Sequence, residues 1–471
     1  MSTALFWFRQ DLRCYDNPAL SLACKHHEKI IPLYIKELNP PLSLGGAQHW
    51  WLHHSLHALA ATLKKVDLDL YLKQAEPITL LKELIAKYEV DAVYWNRCYE
   101  PVHSERDRII KVELKALGIK VVSCNGSLLN EPWNVLNQSG EFFKVFTPYW
   151  RQCLRQMQAP ELLEITHWPT GVKISSDSLN EWKLLPQNPN WAKGFSDYWQ
   201  PGEQGAAAQL DDFIEKHLMG YKEQRNIPAV SATSHLSPHL HFGEISPQQI
   251  WVALHDAMQD PQCDLISAQT YLAELGWREF SYQLLYHFPT LMDKNFKTQF
   301  DKFSWHDDEE LLKKWQKGLT GYPIVDAGMR ELWHTGYMHN RIRMVVASFL
   351  TKDLLIDWRK GAAWFWDTLL DADLANNSAS WQWVAGSGAD AAPYYRIFNP
   401  VLQGEKFDPQ GKYVKRWVPE LANVPTQWIH KPWLAPKDSL PLTLGEDYPL
   451  PIVEHAKARD YALSAYKKLK R

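Results

Sequence analysis

The first 125 residues alternate between short apolar runs and longer amphipathic stretches. The runs ALFWF, IIPLYI, LDLYL, DAVYWN and KVVSC are typical of buried strands, and apolar residues recur at helical spacing between them. Asn17 followed by Pro18 predicts the start of the first helix, because Asn caps helices and Pro suits the first turn. Strands that alternate with helices predict a parallel sheet with helices on both faces. No GxGxxG follows the first strand, so a dinucleotide-binding Rossmann site is not expected.

The pattern changes twice further along the chain. Between about residues 131 and 202, Pro, Asn, Ser and Trp are frequent and periodicity is weak, which predicts a long connector. From residue 203 onward, stretches such as AAAQLDDFIEKHL and AQTYLAELGWREFSYQLLYHF have helical periods, although the last fifty or so residues look irregular. The sequence therefore predicts an α/β domain over 1–130, a connector over 131–202 and an all-α domain over 203–471.

Composition narrows the class of protein only in part. The chain is 45% hydrophobic and 22% charged, as in ordinary globular proteins, and no run is long enough to span a membrane. Its net charge of −3 leaves DNA binding open, because phosphate contacts need only a local basic groove. The 23 tryptophans fit either a large core or surfaces that stack on flat ligands.

The cysteines and the N-terminus indicate a cytoplasmic protein. None of the six cysteines forms a CxxC and none follows Cys263, so no metal site is predicted. Free thiols fit a reducing cytosol. The chain opens on MSTALFWFRQD, which is typical of an immediate strand rather than a signal peptide.

Hydroxyl side chains precede a predicted helix in the segment SATSHLSPHL. Ser237 stands before Pro238 and is predicted to be the N-cap. Helix N-termini with nearby hydroxyls can bind phosphate, but a capping serine is structural far more often.

Charged residues in the helical region are open to two interpretations. Glu274 lies four residues before an arginine, which predicts an ordinary surface ion pair. Arg341 and Arg343 add charge to a helix otherwise suited to burial, and buried charges need partners. Asp371 and Asp373 are candidates for that role.

Several ordered motifs together resemble the photolyase/cryptochrome family, and most of all the bacterial class I cyclobutane pyrimidine dimer photolyases. They are FWFRQDLR, KVFTPYW, GLTGYPIVDAGMRELWHTGYMHNRIRMVVASFLTKDLLIDWRKG, DADLANN, WQW and DAAPYYRIFNPVLQGEKFDPQGKYVKRWVPEL, and they extend over essentially the whole chain. The resemblance implies an α/β domain with a parallel five-stranded sheet, joined by a long connector to an all-α domain that binds FAD. It also implies light-driven repair of cyclobutane dimers in DNA, with an electron passing from excited reduced FAD (FADH−) to the flipped-out dimer. The expected protein is a cytoplasmic, monomeric lyase.

The resemblance also assigns roles to individual residues. The expected FAD contacts are Tyr221, Thr233, Ser234, Leu236, Ser237, Arg343, Asp371, Asp373 and Asn377, of which Asn377 would face flavin N5 and Arg343 would pair with Asp371. The expected electron-transfer chain is Trp381, Trp358 and Trp305. The catalytic residues would be Glu274, Asn340, Met344 and Asn377. The expected DNA contacts are Arg225, Glu274, Trp277, Asn340, Arg341, Trp383 and Arg396, with Trp277 and Trp383 stacking on the flipped dimer.

Three other functions are weighed against this resemblance. A cryptochrome-type blue-light sensor is the main alternative, and Asn377 argues against it because plant and insect cryptochromes usually carry Asp or Cys there. Animal-type (6-4) photolyases would carry histidines in MHNRIRMVV, where only His339 is found, and iron–sulfur (6-4) enzymes need cysteines beyond Cys263. The third alternative is a flavoprotein without repair activity, which the sequence does not exclude.

The second, antenna chromophore is not assigned by the resemblance. Folate-carrying relatives use two residue pairs, which match Ser104–Glu105 and Met292–Asp293 here, and only Glu105 agrees. Folate is therefore disfavoured, and a deazaflavin, a second flavin or an empty site are the alternatives.

Overall fold

The structure is a computed structural model that describes residues 2–391 and 395–469. Its chain divides into two compact units. Unit 1 comprises Met1–Phe143, Thr147–Met219 and Ser234–Pro289, and unit 2 comprises Lys144–Phe146, Gly220–Thr233 and Thr290–Arg471. The predicted domain boundaries at 130 and 202 stay a prediction.

Unit 1 contains a parallel sheet that confirms the predicted α/β architecture. Its five main strands are β1 (Thr3–Phe8), β2 (Lys29–Glu37), β3 (Tyr71–Ala75), β4 (Ala92–Asn96) and β5 (Lys120–Cys124), in the order β3-β2-β1-β4-β5. All of them pair in parallel. A sixth strand, β6 (Thr170–Gly171), also pairs with β2 and was not predicted, because two residues carry no periodicity.

The helices between the strands are those that the sequence predicts. They are α1 (Pro18–His26), α2 (Gly46–Lys64), α3 (Pro77–Tyr88) and α4 (Pro101–Ala116). Asn17 caps α1 as predicted, since its side-chain oxygen accepts a hydrogen bond from the Leu20 amide at 3.1 Å. Every residue of β1 is buried, which agrees with its unbroken apolar sequence.

The rest of unit 1 is mainly helical. α6 (Glu203–Asp212) continues into a π-helical turn at Phe213–His217, and α8 (Ser237–His241), α9 (Pro247–Ala257) and α10 (Leu265–His287) follow. The predicted N-cap at Ser237 is wrong by one position, because the helix already includes Ser237 and Leu236 precedes it. Pro238 therefore occupies the second helical position. Proline is tolerated there because the backbone N–H groups of the first turn have no acceptor within the helix.

The predicted connector contains more regular structure than its sequence indicated. α5 (Phe146–Gln156) lies within residues 131–202, in addition to β6. Its helical period is weak in the sequence because the helix is short and only two of its residues, Tyr149 and Cys153, are buried. Pro148 stands in its first turn, where proline is tolerated.

Unit 2 is helical and is organised around a large aromatic core. Its helices are α7 (Tyr221–Gln224), α11 (Glu309–Gln316), α12 (Pro323–Thr335), α13 (Asn340–Ser348), α14 (Trp358–Thr368), α15 (Leu374–Ala385), α16 (Pro400–Phe407), α17 (Lys412–Trp417) and α18 (His455–Lys468). The segment from α12 to α15, including the turns between these helices, contributes most of the core residues, among them Ile342, Trp358 and Trp381. The all-α prediction for this part of the chain is confirmed.

The sequence predicted an irregular C-terminal region, but the structure contains one long helix there, α18. α18 is polar over most of its surface, and of its residues 455–468 only Ala458 and Ala462 are fully buried. His455 at its start lies 2.5 Å from the carboxylate of Asp353. Asp353 belongs to a π-helical turn, Phe349–Asp353, that follows α13 directly and has the i→i+5 hydrogen bond from the Leu354 amide to the Phe349 carbonyl, at 3.0 Å.

Within 2–391 and 395–469, no helix combines the length and the apolar character that a bilayer-spanning segment requires.

Candidate active site

The pairing of Arg343 with Asp371 in unit 2 agrees with the expectation from the sequence. Arg343 Nη2 donates to Asp371 Oδ2 at 2.9 Å, and its Nε donates to the Met338 carbonyl at 2.7 Å. The Asp371 side chain is only 4% exposed, so the ion pair is largely removed from solvent. Burial by itself lowers the pKa of Arg343, but Asp371 and Tyr337 outweigh that effect and hold the pKa above its usual value.

Asp373 has a structural role in addition to the one expected from the resemblance. It is the N-cap of α15, and its Oδ1 accepts hydrogen bonds from the Asn376 amide N–H at 2.8 Å and from Asn376 Nδ2 at 2.7 Å. The cap fixes the first turn of the helix that carries Asn377.

The orientation of the Asn377 amide is fixed by a backbone carbonyl. Asn377 Nδ2 donates to the Ala362 carbonyl oxygen at 3.0 Å. Because a carbonyl oxygen can only accept, the nitrogen must lie on this side and the Oδ1 atom on the other. Asn377 therefore presents a hydrogen-bond acceptor away from α14, which suits an N–H donor such as that of a reduced flavin at N5.

Tyr337 lies beside Arg343 and Asp371, and the sequence analysis did not predict it as a site residue. Arg343 lies over its ring, 5.1 Å from the centroid, and the Tyr337 hydroxyl is hydrogen-bonded to the side chain of Thr233. Burial raises the pKa of Tyr337 to about 12. The only signal was an aromatic residue in GYMHN next to Arg341 and Arg343, and a single tyrosine beside a helix start is usually a core residue.

Arg341 lies within electrostatic range of two other arginines of unit 2 that were expected to contact DNA, Arg225 and Arg396. Burial lowers the pKa of Arg341, and the positive charges of Arg225 and Arg396 lower it further. Arg341 is held by Asn226, whose Oδ1 accepts from Nη2 at 2.5 Å, and it packs over the Phe407 ring at 4.5 Å. Several positive charges in one region attract anions, so the cluster of Arg225, Arg341 and Arg396 is suited to contact an anion such as a phosphate.

The three tryptophans of the expected electron-transfer chain share one part of unit 2. Trp358 and Trp381 are buried in the same core, and Trp305 is half-buried and packs against it. Trp358 Nε1 donates to Asn295 Oδ1 at 3.0 Å, whereas the Trp381 indole N–H has no hydrogen-bond partner among the described residues. Trp381 lies against Gly361, one turn after Trp358 on α14: a Cβ there would be 2.2 Å from its ring.

Two other expected site residues lie on α10 in unit 1. Glu274 and Trp277 are three residues apart and so share one face of that helix. Trp277 is 37% exposed, which argues against a purely structural core residue. The neighbouring Arg278 donates to the Ser127 carbonyl at 2.7 Å and lies 3.5 Å from Glu279.

The remaining expected residues are distributed over both units. In unit 2, Trp383 is half-buried and donates from Nε1 to the Asp390 carbonyl at 3.1 Å, Met344 Sδ lies 3.6 Å from Arg341 Nη1, and Asn340 is exposed at the start of α13. Tyr221, also in unit 2, is buried under the Arg225 guanidinium. In unit 1, Leu236 is buried, Ser234 is half-buried and Ser237 is exposed.

Comparison with known proteins identifies the family. Residues 4–169 match the family model described as DNA photolyase, and residues 271–468 match the one described as FAD binding domain of DNA photolyase. The chain belongs to the DNA photolyase family. A deoxyribodipyrimidine photo-lyase of Agrobacterium fabrum is 51% identical over 472 residues, covering 99% of this chain and 98% of the relative. Cryptochrome-2 of Arabidopsis thaliana is 38% identical, covering 98% of this chain and 78% of the relative.

A solved structure extends the comparison to the whole fold. A bacterial class III photolyase from Agrobacterium tumefaciens has a TM-score of 0.97 and 51% sequence identity, and the match covers 100% of this chain and 98% of that one. The family and the FAD-binding domain are therefore confirmed. The sequence motifs resembled class I enzymes most, whereas this solved structure is described as a class III photolyase. The class of this protein within the family is therefore not established by the comparison.

The residues present in unit 2 fit FAD. The Asn377 acceptor, the carboxylate of Asp371 and the guanidinium of Arg343 supply the mixture of acceptors and donors that a flavin edge requires. At the expected antenna position in unit 1, Glu105 is exposed and bonds Arg108 at 2.7 Å, and the Ser104 hydroxyl donates to the Cys98 carbonyl at 2.9 Å. The identity of the antenna chromophore stays open.

Proposed function

We propose that this protein repairs cyclobutane pyrimidine dimers in DNA, using light and an electron from excited reduced FAD. The observation that supports this proposal most directly is the cluster of Arg225, Arg341 and Arg396 in the unit that also carries Asn377. A light sensor that acts only through protein partners has no need of such a cluster, whereas phosphate contacts position a repair enzyme on DNA.

The chain's own residues would hold the flavin and maintain it in its active form. Reduced FAD, when bound, supplies the electron that splits the dimer after excitation by blue or near-ultraviolet light. Arg343 and Asp371 would orient the flavin edge, and Asn377 would accept a hydrogen bond at N5. Trp305, Trp358 and Trp381 would conduct an electron inward from the surface, because indole is easily oxidised.

The substrate would be bound outside the duplex. Photolyases are themselves a standard example of enzymes that extrude a base from the stack, and a covalent dimer lowers the cost because it pairs and stacks poorly. We propose Trp277 and Trp383 as stacking partners and Glu274 as the hydrogen-bonding residue that stabilises the charged dimer. Asn340 and Met344 would line the contact with the flavin. The enzyme would act in the cytoplasm as a monomer.

Repair of defined lesions tests this function. The purified protein is loaded with FAD, reduced anaerobically and given DNA with either a cyclobutane thymine dimer or a (6-4) product, in blue light and in darkness. Recovery of thymine absorbance only with the cyclobutane dimer, and only in light, is the expected result. Glu274→Gln should lower the yield per photon, whereas Glu310→Gln, a change of an exposed carboxylate on α11, should not.

The other outcomes distinguish the alternatives. Repair of the (6-4) lesion alone would assign the protein to that class of photolyase. No repair of either lesion, together with normal photoreduction of the bound flavin, would favour a cryptochrome-type sensor and contradict the proposal.

A further inference from the structure

Three potential metal ligands converge at one edge of the sheet in unit 1. The Cys98 sulfur, a Glu100 carboxylate oxygen and a His103 ring nitrogen all lie within 4.8 Å of one another. They come from the stretch between the end of β4 and the first turn of α4. Cys98 and Glu100 are buried, and the His103 side chain is 15% exposed. The spacing C-x-E-x-x-H has no CxxC signal, so the cysteine pattern alone predicted no metal site.

The separation of two of these atoms fits a tetrahedral zinc ion. His103 Nδ1 is 3.3 Å from Glu100 Oε2. Nitrogen and oxygen ligands at about 2.0–2.1 Å from zinc in a tetrahedron lie about 3.3 Å apart. A sulfur ligand at about 2.3 Å would lie about 3.6 Å from each of them, so the Cys98 sulfur needs a shift of about 1.3 Å at most.

Neighbouring residues already orient the Glu100 carboxylate. Glu100 is at the N-cap position of α4, but its side chain makes no capping hydrogen bond. Its Oε1 instead accepts from Gln10 Nε2 at 2.7 Å, which directs Oε2 toward His103. A hydrogen bond of this kind to the outer atom of a carboxylate is typical around metal ligands.

The nearby guanidinium charges are balanced by other carboxylates. Arg9 lies 2.6 Å from Asp107, and Arg106 lies 2.7 Å from the same residue and also pairs with Glu37. A thiolate and a carboxylate would together neutralise a divalent cation, which favours an ion in a largely buried position.

We propose that Cys98, Glu100 and His103 form a binding site for a first-row divalent metal ion, with Zn²⁺ as the best match to this ligand set. A water molecule would complete the tetrahedron on the side where His103 reaches solvent. Binding replaces the thiol proton with the metal, and the proton passes to the buffer.

Cobalt substitution tests the site independently of light and flavin chemistry. The FAD-loaded protein is treated with a chelator and titrated with Co²⁺ while its absorbance is followed, and Zn²⁺ is then added in competition. We expect one equivalent to bind, with a thiolate-to-cobalt charge-transfer band that Zn²⁺ removes. Cys98→Ser should abolish the band, and His103→Gln should weaken binding at least tenfold.

Two further variants separate this site from others. Gln10→Ala should weaken binding about tenfold, because it removes the hydrogen bond that orients the carboxylate. Cys124→Ser removes a more accessible thiol from the same sheet and should leave the titration unchanged. Binding without the charge-transfer band, or a band lost equally in Cys124→Ser, would show an adventitious ion only. No binding at all would show that Glu100 and His103 form a simple ion pair, and both results would overturn the proposal.

Discussion

The contact between Trp381 and Gly361 predicts that one added methyl group interrupts electron supply to the flavin. A Cβ at position 361 would lie 2.2 Å from Cη2 and 2.6 Å from Cζ3 of Trp381, and 2.6 Å from a methyl carbon of Leu350. Real Cβ atoms do not approach other atoms so closely, so the ring must move. Trp381 and Leu350 are 2% and 0% exposed, which leaves them little room. Gly361→Ala therefore displaces Trp381, a member of the proposed electron-transfer chain.

Two effects of opposite sign determine the stability of Gly361→Ala. Replacing a glycine inside a helix by alanine stabilises it by about 1 kcal/mol. Adding a methyl group to a close-packed core costs about 1–3 kcal/mol. Because several contacts are well below van der Waals distance, we expect the upper part of that range and a net loss of about 1–2 kcal/mol in the free energy of unfolding.

Photoreduction and repair separate this effect from general destabilisation. With oxidised flavin and an external reductant, light should reduce Gly361→Ala more slowly than the parent. After chemical reduction in the dark, both proteins should repair dimers equally well in a single light period. Ala363→Gly is the matched control, since residue 363 is exposed on the same helix and the change costs about 1 kcal/mol without touching Trp381. Normal photoreduction in Gly361→Ala, or a gain in stability, would refute the reasoning.

Other predictions concern buried polar groups. Arg343→Ala leaves the Asp371 carboxylate buried without its guanidinium, so urea unfolding should show a loss of about 3–5 kcal/mol and the FAD content should fall; full FAD retention would contradict this. Asn17→Ala removes a cap that also accepts from Asn96 at 2.7 Å and should cost at least about 2 kcal/mol in the same assay. Burial raises the pKa of Glu331 from 4.5 to about 7, so the folded state holds its proton more tightly and stability from this group is lost as pH rises through that range. Between pH 5 and pH 8, the free energy of unfolding should therefore fall less for Glu331→Gln than for the parent. If it falls equally for both, the titration of Glu331 does not cause the loss.

The parts of the fold that the sequence predicts are those with a strong burial pattern. β1 is buried on both faces and has an uninterrupted apolar sequence, which by itself predicts a buried strand. α18 was missed because its two fully buried residues, Ala458 and Ala462, are small and add little to an apolar stripe. α5 was missed because only Tyr149 and Cys153 are buried in it, and β6 is too short for any pattern.

The site is less predictable because its residues are distant in sequence. Arg343 and Asp371 are 28 residues apart, and no periodicity connects them; the resemblance to photolyases suggested the pair and the structure contains it. The residues themselves supplied only the argument that buried arginines need acidic partners. Tyr337 could not be distinguished from an ordinary core tyrosine, and the convergence of Cys98 with His103 depends on how the chain turns between β4 and α4.

The π-helical turn at Phe349–Asp353 restricts how the length of this chain can vary. Its extra residue changes the direction in which the following side chains point, and all five of its residues are buried. Lys352 thereby reaches the Arg396 carbonyl and Asp353 reaches His455. Deleting one residue would restore a regular α-helix but rotate each downstream side chain by about 100° about the axis. Insertions or deletions in this turn should therefore prevent folding, although exposed loops of the protein accept them. The turn is accordingly a poor position for chimeric junctions or loop grafts.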